Sequence, residues 1–176
     1  TGVVPTGAAT IVTRSNSSLY SVTGIENFSN AGLSIPGFVD LNGNFSLNTN
    51  VQTVTLDDGT LVTANVQRIG GYDVTAFVGL NGGSADRLGL SLSDVDFAEV
   101  VVTDQADASR SWTAFKANAA SIAITGLPSV TASSSDLTVE VNRPAGDGSL
   151  IDFFAQPLEI VTGPGSSETL DMDGRL

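Results

Sequence analysis

The sequence predicts an all-β fold of antiparallel strands, and three observations carry that prediction. Apolar residues recur with a period of two along almost the whole chain, the alternation of a strand with one face in a core. The alternating runs are rich in Val, Ile and Thr, which suit a pleated, half-buried surface. Asn-Gly and Asp-Gly steps fall between the runs, and such steps supply the positive φ that tight hairpins need.

Taken in chain order, residues 1–18 differ from the rest. Gly2, Pro5 and Gly7 precede a short β-like stretch, Ala9-Thr10-Ile11-Val12, and then Arg14-Ser15-Asn16-Ser17-Ser18. This reads as an N-terminal arm or an edge strand, followed by a single β-rich module over residues 19–176. Val51 to Leu56 and Leu61 to Val66 are β-branched runs joined by Asp57-Asp58-Gly59-Thr60, the clearest hairpin in the chain. Asn42-Gly43, Asn81-Gly82-Gly83, Asp147-Gly148 and Asp173-Gly174 are further turn signals. In the run from Tyr72 to Leu80, the residues Tyr72, Val74, Ala76, Val78 and Leu80 are expected on one face. Leu88, Leu90 and Leu92 alternate in the same way, as do Leu137, Val139 and Val141. Asp104 to Arg110 reads as a loop, with strand from Trp112 through Thr125 that places Thr113, Phe115, Ala117 and Ala119 on one face. A short helix in that loop is the competing reading. Leu56-Asp57-Asp58-Gly59-Thr60-Leu61-Val62 is echoed by Gly146-Asp147-Gly148-Ser149-Leu150-Ile151, and again by Thr169-Leu170-Asp171-Met172-Asp173-Gly174. The alternation fits a two-sheet sandwich, a prism or a solenoid-like wrap equally well.

Composition narrows the function. The chain has 176 residues, no Cys and no His. Disulfides and thiolate metal sites are therefore ruled out, and the commonest general base and transition-metal ligand is missing. The net charge is -12, and the seven bases, Lys116 with Arg14, Arg68, Arg87, Arg110, Arg143 and Arg175, are scattered singly. Nucleic acid and anionic lipid, which need clustered Lys and Arg, are rejected as partners. There is no apolar run of about 18 residues, so membrane insertion by a helix is not expected. The chain starts at Thr1 without an apolar leader, which reads as a processed or excised form. Acidic, Cys-free, Lys-poor and Ser/Thr/Asn/Gly-rich composition suits an extracellular or bacterial cell-surface location.

Three stretches carry a family resemblance: Phe77 to Ala98, Arg110 to Leu127 and Leu137 to Gly165, preceded by Gly43-Asn44-Phe45-Ser46-Leu47. Together they resemble the tandemly repeated module of very large, repeat-rich bacterial surface and secreted proteins of the giant-adhesin kind. The resemblance spans roughly residue 41 to the C-terminus. It implies a β-rich extension unit that occurs in series and carries no catalytic residues. Strands of such a unit leave edges to be covered, charged or paired with a neighbour. Homo-assembly is therefore expected, head-to-tail, with the C-terminal stretch Glu168 to Leu176 pairing with Leu19 to Gly24 of another copy.

Calcium is the one cofactor the residues suggest, because it seeks several hard oxygen ligands. Asp171-Met172-Asp173-Gly174 matches part of a D-x-D-G calcium loop, with Thr169 where a further acid would help. Asp94 and Asp96 are expected on one strand face, with Asp57 or Asp58 as partners from elsewhere. The plainer reading of both pairs is a solvated acidic surface that keeps a β protein soluble. Glu99, Glu140, Glu159 and Asp152 are the candidate carboxylates for glycoside hydrolysis, but one Trp and two Tyr leave few rings to stack on sugars. Lys116 reads as a solvent-facing strand residue, and Trp112 and Phe153-Phe154 as core. The expectation is a structural or adhesive building block and not an enzyme; a calcium-dependent surface or carbohydrate-binding module is the alternative.

Overall fold

A computed structural model of the chain describes residues 10–22, 25–35, 39–82, 84–126 and 133–172. They form an antiparallel all-β structure, and no helix occurs among them. Seven strands follow one another in a meander: β1 (Thr10–Val22), β2 (Ile25–Ile35), β3 (Val39–Thr55), β4 (Leu61–Leu80), β5 (Leu88–Asp104), β6 (Ser111–Thr125) and β7 (Ser133–Arg143). Each pairs with its neighbour in sequence, so the sheet order is the chain order. A hairpin of β8 (Leu158–Gly163) and β9 (Ser166–Leu170) forms a second, two-stranded sheet. The 20 residues of β4 span roughly 60 Å at the usual rise of a strand, far beyond the usual five or six residues.

The β8–β9 hairpin and the segment before it lie on one face of the meander, and the main core is there. Val54, Val62, Ala64, Val66, Ala98, Val100, Val102, Trp112 and Ala114 point up from β3 to β6. Leu56, Ala145, Ile151, Phe153, Ile160, Leu170 and Met172 close down on them. Alternation in β4 to β6 produces this face directly, since residues 62, 64 and 66, residues 98, 100 and 102, and residues 112 and 114 meet across the ladder. Trp112 is in the core, as expected, and its indole N–H donates to the carbonyl of Ser149 at 3.1 Å. Phe153 is buried, but Phe154 turns out to solvent and is 71% exposed.

Close approach of the hairpin depends on Gly70. A Cβ there would lie inside the contact distance of the Val161 carbonyl oxygen and 2.7 Å from the Thr162 Cα. Beside it, the Ser46 hydroxyl donates to the same Val161 carbonyl.

The expected hairpin at residues 57–60 is present, with Gly59 at φ 82 and Asp58 accepting the Thr60 N–H at 2.8 Å. Asp147-Ser149 repeats this bonding at 3.0 Å, and Asp107-Ser109 does so without a glycine, also at 3.0 Å. The echo between residues 56–62 and 146–151 is thus a shared turn design, and the two turns dock on each other. Leu56 and Ile151 form an antiparallel bridge, and the Asp57 N–H donates to the Leu150 carbonyl at 2.9 Å. The third echo runs into residues 173–174, outside the described residues. Asp104 ends β5, residues 105–110 form a turn and not a helix, and β6 begins at Ser111.

Two expectations need correction. Asn42-Gly43 is not a turn; it sits inside β3, at a register shift between Asn42 and Asn44. The five residues from Tyr72 to Leu80 do not share a buried face. Val74 and Phe77 are buried, while Val78 and Leu80 are each 50% exposed. The cause is a line of irregularities that crosses the sheet. Asp73, Asp94 and Asp136 have φ of 52, 50 and 57, and the β4–β5 register shifts on both sides of Val74. A bulge changes which residues of a strand face the core, so the alternation differs in phase on its two sides. Residues 10–18 of the expected arm belong to β1, an edge strand of the meander; residues 1–9 lie outside the described residues.

The Gly70 contact gives a direct test. Gly70→Ala is expected to cost about 1–3 kcal/mol or more by overpacking, whereas Gly146→Ala, where the added methyl meets nothing within 4 Å, should be close to neutral. Urea unfolding midpoints of the two variants check this.

Candidate interaction surface

The second face of the meander has no covering element among the described residues. Its side chains come from the odd-numbered positions of β3 to β7 below the bulge line. One register row reads Phe45, Gly71, Phe97, Ala117, Val139; the next reads Leu47, Ile69, Glu99, Phe115, Val141. Phe45 and Phe97 approach with ring centroids 6.3 Å apart, and Phe97 and Phe115 at 6.0 Å. Gly71 lets the first pair meet across β4, since a Cβ there would enter the Phe97 ring. Thr113, Phe115, Ala117 and Ala119 do share this face, as expected. Near the bulge line this face holds a small buried cluster of Val74, Val95 and Ala119 with Phe45, Phe97 and Leu137 packed against it, and it opens only beyond that; the other face belongs to Trp112 and Ala114. Toward β7 the apolar surface becomes more open, with Val139 at 41% and Val141 at 40% exposure. A contiguous apolar sheet surface of this kind marks an interaction site more often than a free surface.

The sheet also ends in two edges. Among the described residues β1 pairs only with β2, and β7 only with β6. β9 is committed to β8 and to the covered face, so the expected joint through the C-terminal stretch would have to use the hairpin and not the large sheet. Residues 173–176 of that stretch, and residues 23–24 of its expected acceptor, lie outside the described residues.

The expected calcium ligands are placed as follows. The Asp171 carboxylate is held by Lys116 at 2.8 Å, and that bond lowers its pKa and raises that of Lys116. Lys116 also lies 3.4 Å from Glu140. It is therefore not a solvent-facing residue: alternation places it on the covered face, where only 17% of its side chain is exposed. Asp173 lies outside the described residues. Asp94 and Asp96 line one shallow concavity with Asn118, Asp136 and Thr138. Asp96 accepts the Asp73 N–H at 2.9 Å, which serves the bulge. Asp57 and Asp58 sit in the β3–β4 turn at the far end of the sheet and do not join this pair. Among the described residues no three acidic side chains converge as a cation would require.

The four carboxylates considered for hydrolysis are dispersed. Glu99 is on the open face, and Glu140 pairs with Lys116. Glu159 accepts the Ser167 hydroxyl at 2.7 Å on the hairpin, and Asp152 accepts the Ala155 N–H at 2.9 Å within a turn.

Sequence reasoning missed a second feature, the end of the sheet where three turns meet. Arg110 lies 2.8 Å from the Asp147 carboxylate, 3.5 Å from Asp104, and 4.9 Å above the Trp112 ring. It ties the docked turns to the core. The carboxyls of Asp107 and Asp147 are held below the usual range by the Ser109 and Ser149 hydroxyls, and that of Asp58 by the Thr60 N–H. The repeated D-x-S/T spacing was the available signal. Comparison with protein-family models, with curated proteins and with solved structures finds no match to this chain.

The Lys116 contacts set a pH dependence. Asp171 is depressed, so its contribution is complete above the ordinary carboxylate value of 3.8 and is lost as pH falls through the lowered one. Lys116 is raised, so its contribution is complete below 10.5 and is lost as pH rises through the raised value. Asp171 is largely exposed, so the pair is worth about 0.2–1 kcal/mol. Lys116→Met should lose that amount at neutral pH and converge on the native chain as acid protonates Asp171, followed by urea titrations at falling pH.

Proposed function

We propose that this chain is a structural or adhesive building block of an extracellular or bacterial-surface assembly, joined to neighbouring copies or modules through the edges of its β-sheet. One observation carries the reading: the meander is open. Among the described residues both terminal strands of the large sheet have an unpaired side, and no described element lies over the adjoining apolar face toward β7, where Val139 and Val141 are exposed. Sheets left open in this way template further strands unless the edge is blunted or occupied. Head-to-tail joining would set β7 of one copy on β1 of the next and extend the sheet without limit; joining of like edges would give one sheet shared by two copies. A neighbour laid over the open face would complete a sandwich.

The resemblance to giant-adhesin repeat modules supports the same reading, since those modules work in series. A non-enzymatic role agrees with the missing His and Cys and with the dispersal of the four carboxylates. A net charge of -12 keeps such a module dispersed until a specific contact forms.

Mass in solution, followed across a rising concentration series by sedimentation, together with electron micrographs of the same samples, tests the proposal. Defined oligomers, fibres or sheets are expected. A chain that stays strictly monomeric at millimolar concentration overturns it.

A further inference from the structure

We propose that β7 is the joint, and that residues 137–143 pair antiparallel with the same strand of a second copy about a twofold axis at Val139. This rests on the building-block reading and names its partner surface and geometry.

The two edges that have no partner among the described residues are not equivalent. In β1 the register with β2 is broken between Thr13 and Ser18, and a bulged edge twists away from an incoming strand. In β7 the register with β6 runs unbroken from Leu137 opposite Ala119 to Arg143 opposite Thr113. The strand carries neither Pro nor Lys, the residues that most often guard an edge. Its one Glu, Glu140, points to the covered face and is neutralised by Lys116 at 3.4 Å. Residues 137–143 hold one acid and one base in a chain of net charge -12, so two copies meet least repulsion there. These seven residues are a short, β-prone segment of no net charge with an exposed ladder edge, which is the kind of segment that pairs with itself.

Side-chain pairing selects the register. Setting Val139 opposite Val139 of the second copy places Leu137 opposite Val141 on the open apolar face. On the other face, Thr138 then meets Glu140, and Asn142 meets Asp136. No like charges stand opposite each other. A slip of two residues one way sets Glu140 against Glu140, and two residues the other way sets Asp136 against Glu140; both are unfavourable. A slip of one residue turns every Val to the wrong face. In the chosen register the Phe97–Val139 and Phe115–Val141 rows run on across the joint, and the open apolar face becomes continuous over both copies.

The absence of cysteine makes the test clean. Strands paired directly opposite hold Cα atoms about 4.5–5.5 Å apart, within disulfide reach. Val139→Cys should therefore form a disulfide-linked dimer under mild oxidation, and Val51→Cys, 54% exposed on β3, should not. Leu137→Cys and Val141→Cys should each stay unlinked alone and link when mixed. Val139→Lys, at an exposed site, should keep the native thermal midpoint and lose the doubled mass. If the native chain assembles but the Val139→Cys variant does not link and Val139→Lys still assembles, the joint is elsewhere and the β7 proposal falls, while the building-block reading stands. A native chain that never assembles removes both.

Discussion

The seating of the β8–β9 hairpin on one face of the meander is the contact on which the rest of the structure depends. A single sheet buries little by itself, and here Trp112, Val66, Val100 and Val102 are sealed only because Ile151, Phe153, Ile160 and Leu170 lie over them. The seal requires the hairpin backbone to come down on β4, which Gly70 allows by having no side chain. It also requires the preceding segment to be fixed at the sheet end. The Leu56–Ile151 bridge, the Ser149 contacts of Trp112 and the Arg110 ion pairs do this. The described part of the C-terminal segment is spent on this face and this end of the sheet.

Much of this fold was legible in the sequence, and the failures have a common cause. Period-two burial gave the strands, and the Asp58-Gly59 step gave the β3–β4 hairpin because only a positive φ fits there. The loop before Ser111 was legible from the loss of alternation. Glycine misled where its role was space and not conformation. Asn42-Gly43 read as a turn, yet Gly43, like Gly70 and Gly71, sits in a long strand because the neighbouring strand at Val74, a hairpin backbone or an aromatic ring occupies the room a side chain would take. The sequence therefore suggested two short runs where β4 continues for 20 residues. The phase change at Asp73, Asp94 and Asp136 was equally hidden. An Asp in αL costs little in a bulge, but nothing local separates it from an Asp on a regular strand.

The same limit applies to the functional surface. Asp171 looked like a cation ligand in a list of residues, and only the fold brings Lys116, 55 positions earlier, against it. Asp94 and Asp96 looked like a pair, and they do line one concavity, but the Asp96 carboxylate serves the bulge. Acidic residues in this chain are consumed by turns and bulges through Asx bonds to nearby N–H groups, so a high Asp count reflects backbone geometry as much as any ligand.

Charge and edge then belong to one design. A strongly acidic chain repels its own copies over most of its surface, which holds back the promiscuous edge pairing to which long meanders are prone. That repulsion is weakest where acids are absent or paired. On β7 the Lys116–Glu140 contact removes the one acid of residues 137–143 from play, and Val139 and Val141 supply area on the adjacent face. Lys116 is thus tied to both the hairpin, through Asp171, and the edge, through Glu140. A single ammonium group therefore touches both the element that closes the covered face and the last strand of the sheet.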